Sequence, residues 1–118
     1  MKLLLSILIL IIALEHFYFL VLEMFLWTTK KGIKAFGLKS KEFAEETKVL
    51  AANQGLYNGF LASGLIYSFI TEDLYTSIFF LVCIAIAGIY GAFSTKKTKL
   101  FYVQAVPAIL ALIISALL

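Results

Sequence analysis

The chain has 118 residues, of which 63% are hydrophobic and only 14% charged, and its mean hydropathy is +1.02. That composition excludes an ordinary water-soluble domain, and once several spans are laid out the length leaves no room for a second domain. The net charge of +3 comes from ten lysines and no arginine; they cluster between apolar runs instead of forming a basic, aromatic-interleaved face, which excludes a nucleic-acid partner.

The first apolar stretch runs from about Leu3 to Trp27. Lys2 and the leucines after it resemble the start of a signal peptide, but no small-x-small cleavage pattern precedes Lys30 and Lys31, so a retained helix is expected. A polar segment follows, with Lys30, Lys31, Lys34, Lys39 and Lys41 and then Glu42, Glu45 and Glu46. Gly32 and Gly37 are expected to break it into a loop that carries Ile33, Phe36 and Leu38 onto the bilayer surface. Ser40 is placed to cap a second helix over about 41–70. Thr71-Glu72-Asp73 separates this from a third helix over about 74–93, and Lys96, Lys97 and Lys99 precede a fourth over about 100–118.

Each stretch approaches the ~20 residues that cross a ~30 Å hydrocarbon core. The expected architecture is all-α: a single transmembrane domain, 1–118, forming a four-helix bundle with up-down-up-down connections. The two lysine-rich connections fall on one side, which the positive-inside rule makes cytoplasmic, leaving both termini extracytoplasmic. Trp27, Phe93, Phe101 and Tyr102 at one level and Tyr67, Phe69 and Tyr75 at the other read as aromatic belts.

Helices in lipid pack through small residues. The second helix offers Ala51, Gly55, Gly59 and Ser63, the third Cys83, Ala87 and Gly91 with Gly88 and Ala92 beside them, and the fourth Ala108, Ala111 and Ser115. Gly55 and Gly59 are also a candidate surface for a homo-oligomer. Cys83 is the single cysteine, so no disulfide, zinc or redox pair is expected.

The functional information lies in polar residues within apolar runs. Glu15, His16 and Glu23 interrupt the first helix, where a buried acid costs roughly 2.5–3.5 kcal/mol on insertion scales. His16 and Glu23 fall within about 20° of one helical face, with Glu15 about 80° from Glu23. Asn53, Gln54, Tyr57 and Asn58 cluster on the second helix. Centring the two spans on each other sets Asn58 at the depth of Glu15 and His16, and Asn53 and Gln54 between Phe19 and Glu23; Gln104 and the backbone freed by Pro107 extend the patch. These seven residues, Glu15, His16, Glu23, Asn53, Gln54, Tyr57 and Asn58, are the expected ligand-binding set. A shared metal ion is not expected, because two turns, about 10.5 Å, separate His16 from Glu23. No cofactor is implied and no catalytic residue is assigned.

Three readings follow from this pattern. The first is a non-enzymatic membrane protein that binds or moves a small polar solute or protons. The second is an enzyme acting on a lipidic substrate with Glu15 and His16 as acid and base. The third is an interaction subunit in which the amides serve as interhelical glue.

The runs Leu14-Glu15-His16-Phe17-Tyr18-Phe19, Leu22-Glu23-Met24-Phe25-Leu26-Trp27-Thr28-Thr29 and Glu45 through Ala62 resemble a family of small bacterial integral membrane proteins, domain of unknown function 1304. The resemblance implies a four-helix protein of the bacterial cytoplasmic membrane, in contact with membrane lipids, and no particular activity.

Overall fold

Helix-forming runs of Leu, Ile and Ala fill the chain, and its turns are built from caps. The computed structural model describes residues 1–118 apart from the side chain of Leu100. Its elements are α1 (Lys2–Met24), α2 (Lys30–Phe36), α3 (Lys41–Ile70), α4 (Leu74–Thr95), α5 (Thr98–Leu100), a π-helical turn (Phe101–Ala105) and α6 (Val106–Ala116). The fold is all-α, with no strand among the described residues. α1 and α4 are long and apolar enough to cross a membrane.

Each boundary has a local cause. Ser40 caps α3 as expected, its hydroxyl accepting from the Phe43 N–H at 3.0 Å. The expected loop before it is instead partly helical. Thr29 caps α2 by accepting from the Gly32 N–H, and Gly37, at φ 60°, closes it. The Leu38 N–H donates to Ile33 O and the Gly37 N–H to Lys34 O, the paired bonds of a Schellman cap. Gly37 is therefore the breaker that composition suggested, whereas Gly32 is a helical residue. A Cβ on Gly32 would run into the Leu26 carbonyl, so glycine there serves close backbone approach. Phe36 packs on Trp27, ring centroids 5.0 Å apart.

α3 ends with the same bond pattern without a glycine. Glu72 takes φ 54°, and the Asp73 and Glu72 N–H groups donate to Ser68 O and Phe69 O. Asp73 then caps α4, its carboxylate accepting from the Tyr75 and Thr76 N–H groups and from the Thr76 hydroxyl at 2.6 Å. The Thr76 hydroxyl and then these backbone donors hold the carboxyl below its ordinary value of 3.8. A depressed folded value means that the cap stabilises above pH 3.8 and is lost as pH falls through the lowered value. Asp73→Ala is thus expected to lower the melting temperature at pH 7, and the gap to wild type to narrow as pH falls below the ordinary value of 3.8; melting curves taken from pH 7 down to pH 3 measure it.

Pro107 explains the π-helical turn. Proline at the second position of α6 cannot donate to the carbonyl four residues back, and its ring crowds that carbonyl. The wider turn over Phe101–Ala105 relieves the conflict, as π-bulges do.

The chain divides into two compact units, one comprising Met1–Leu14 with Leu61–Leu118, the other Glu15–Phe60. The core of the first joins Leu5, Ile9, Ile12 and Ala13 of α1, Leu65 of α3, Leu81, Ile84 and Ala85 of α4, and Ala108 and Ala111 of α6. Gly88 lies against the π turn: a Cβ there would stand 2.8 Å from the Ala105 nitrogen. The expected face of α6 is buried as read, through Ala108, Ala111 and Ser115. Those of α3 and α4 drift from the expected lines. Ser63 and Ala87 are exposed, while Ala62, Leu65, Ile84, Ala85 and Gly88 are buried, because a strict four-residue step rotates away from a straight contact at 3.6 residues per turn.

In the second unit, α1 and α3 approach through glycines. A Cβ on Gly55 would meet Met24 Cγ at 2.7 Å and Glu23 Cβ at 3.0 Å, and one on Gly59 would meet Leu20 Cδ1 at 2.6 Å. The face expected to join copies of the chain is thus occupied by α1 of the same chain. Trp27 follows the end of α1 and donates its indole N–H to the Thr47 hydroxyl at 3.0 Å. That hydroxyl in turn donates to Phe43 O at 2.7 Å.

Candidate buried carboxylate site

The polar residues of α1 fall on its inward side in the second unit. His16 is fully buried and Glu23 is 1% exposed. Phe19 stands between them, its ring edge-on to the imidazole at 5.2 Å, as their shared face required. Glu15, one residue from His16 around the helix, is half-buried.

Glu23 is the centre of the arrangement. The Asn58 side-chain N–H donates to Glu23 Oε1, and Gly55 brings the α3 backbone close enough for this to happen. The second oxygen, Oε2, is buried without a hydrogen-bond partner among the described residues, and so is Oε1 of Glu15. A buried polar atom in that condition is uncommon in native folds. Two carboxyl groups on one helix therefore each present an unused acceptor.

The structure gathers only part of the expected set. Asn58 is buried but bonds Glu23, two turns from the depth at which centring placed it. Asn53, Gln54 and Tyr57 are exposed on the far side of α3. Gln104 lies in the π turn of the first unit. Glu23 is engaged by Asn58, while Lys31 places its Nζ over the Tyr18 ring, 5.4 Å from the centroid. No group of three or more His, Cys, Asp or Glu able to hold a metal occurs among the described residues.

Surface clefts occur elsewhere. One, of about 260 Å³, is lined by Ile86, Ile89, Tyr90 and Phe93. Another, of about 590 Å³, lies in the first unit between Lys2, Ser6, Ser68, Asp73 and Ser77 over the apolar Leu5 and Ile9. Its floor contains a hydroxyl pair that sequence reasoning did not join: Ser77 donates to Ser68 at 2.8 Å, and Ser68 to Leu65 O. The sole signal was a serine on each side of a tight turn.

Residues 10–116 match the family described as Protein of unknown function (DUF1304). Uncharacterized protein YpaA of Lactococcus lactis subsp. lactis (strain IL1403) is 36% identical over 118 residues, covering 98% of each chain. No solved structure matches. The expected membership rested on the blocks around Glu15 and Glu23 and from Glu45 to Ala62, and the match spans both: the chain belongs to the DUF1304 family.

Proposed function

We propose that this chain is a multi-pass membrane protein whose first two spans hold a carboxylate site for protons or a small cation. The single observation that carries this reading is Glu23, buried to 1% exposure with one oxygen on Asn58 and the other without a partner. A carboxylate in hydrocarbon must be neutralised by a proton or faced by a cation, and such groups mark ion pathways by default. Glu15 supplies a second acceptor about 12 Å along the helix, eight residues away at 1.5 Å each. A proton or cation relayed between them would move along the axis of α1.

Several features support the membrane setting. α1 and α4 have the length and composition of spans, yet only 28% of the residues in their most apolar windows are buried. Their apolar side chains therefore point outward, as in lipid-facing helices and unlike a soluble core helix. Val49 and Leu50 on α3 are 74% and 73% exposed. On this reading the apolar part of α3 and the segment 98–116 complete four spans of a single domain, with lysine-rich connections in the cytoplasm and both termini outside.

The test is proton flux. Proteoliposomes containing the wild type and a pH-sensitive dye are expected to dissipate an imposed gradient faster than empty vesicles. Glu23→Gln and Glu15→Gln, which keep shape while removing the charge, should each return the rate to that of empty vesicles. Unchanged flux in both variants, across protons and a panel of monovalent cations, would reject the proposal.

A further inference from the structure

Asn53, Gln54 and Tyr57 were expected inside and lie outside. In water that would be unremarkable; in hydrocarbon it is not, because lipid tails offer a side-chain amide neither donor nor acceptor. The exposed residues of α3 also have a pattern. Leu50, Asn53, Tyr57 and Phe60 are all exposed and follow one another at steps of three, four and three. At 100° per residue they fall within about 80° of arc, the seam of a left-handed two-helix crossing. Tyr57 and Phe60 already meet edge-on along it, 5.8 Å between centroids. This stripe is separate from the Gly55 and Gly59 face that α1 covers.

We propose that α3 pairs through Leu50, Asn53, Tyr57 and Phe60 with α3 of a second copy of this chain. The choice of partner rests on chemistry. An amide is donor and acceptor at once, so Asn53 is complementary to itself. Copies inserted in one membrane share an orientation, and a two-fold axis along the membrane normal sets parallel helices with each seam residue opposite its counterpart. A single Asn in such a seam fixes register, and Gln54 flanks it where a second amide bond can form. One turn further, Glu46 would face Glu46, so the seam ends where the helix meets water. The pairing rests on the four-span reading of the proposed function, since it needs Asn53 in hydrocarbon.

The experiment is cysteine cross-linking in native membranes, in a Cys83→Ser background that removes the one native cysteine. Leu50→Cys and Tyr57→Cys are expected to give an oxidised dimer, and Leu56→Cys, exposed but off the stripe, is not. Adding Asn53→Leu to the Tyr57→Cys chain should weaken association about five- to thirty-fold, the loss of one or two interhelical amide bonds, while Asn53→Gln restores it. Equal cross-linking at Leu56 and Leu50, or none at any position, overturns the pairing. A membrane-impermeant maleimide separates the two readings. If Asn53→Cys is protected from it yet uncross-linked, the pairing alone fails; if Asn53→Cys reacts readily, α3 is not in hydrocarbon there and the four-span reading fails as well.

Discussion

Asn58→Leu is expected to destabilise the protein by about 1–3 kcal/mol, the cost of leaving a buried polar group unpaired. The Asn58 N–H is the protein donor to Glu23, whose other oxygen already lacks a partner. Removing it would leave a side chain at 1% exposure with no hydrogen bond to Asn58 at all. That is why the loss should exceed the ~0.6 kcal/mol average for interhelical side-chain bonds in membranes. The asymmetry supplies the control. Glu23→Leu removes the demanding group, so Glu23→Leu with Asn58→Leu should recover most of what Asn58→Leu loses, a strong departure from additivity. Unfolding in bicelles by added denaturing detergent reads all four corners of the cycle. Additive losses would mean that the two side chains do not depend on each other.

How much of this was legible beforehand differs by feature. The all-α fold, the cap at Ser40, the break at Gly37 and the buried face of α6 follow from local chemistry, and local chemistry is written in adjacent residues. The inward face shared by His16, Phe19 and Glu23 was likewise fixed by 3.6 residues per turn. The partner of Glu23 was not. Centring the spans assumed segments of equal length, but α3 runs from Lys41 to Ile70 and α1 stops at Met24. The register between them is set by where Gly55 lets the backbones meet, beside Glu23 and Leu20. That shift of a little over one turn, with the reach of the Glu23 side chain, brings Asn58 onto Glu23. The polarity of Asn53, Gln54 and Tyr57 points to the bundle interior, but polarity alone does not say which polar face is covered within the chain, and all three are exposed. Gly32 follows the same logic: low helix propensity marks it as a breaker, whereas the Leu26 carbonyl that the fold brings beside it requires a glycine within the helix.

The glycines of α3 offer a second large effect, with a sign that differs between two neighbours on one face. Alanine at Gly55 would put a methyl 2.7 Å from Met24 Cγ, 3.0 Å from Glu23 Cβ and 3.3 Å from the Leu20 carbonyl oxygen. The last two belong to or adjoin the α1 backbone and cannot rotate away, so α3 must move. Overpacking of this kind costs about 1–3 kcal/mol, against which the better helix propensity of alanine returns up to about 1 kcal/mol. Gly55→Ala should therefore be net destabilising, and Gly55→Leu more so. At Gly59 the close atom is Leu20 Cδ1 at 2.6 Å, the tip of a flexible side chain, with Cγ next at 3.9 Å. A rotamer change there clears the methyl, and the propensity gain leaves Gly59→Ala near neutral or slightly stabilising. Thermal melts of the two alanine variants distinguish them directly; equal losses would mean that α1 and α3 are not held in this register. The same displacement has a consequence at the site. Asn58 follows Gly55 by three residues on α3, so pushing the backbone outward at Gly55 draws the amide away from Glu23, and Gly55→Ala should impair proton flux where Gly59→Ala leaves it unchanged.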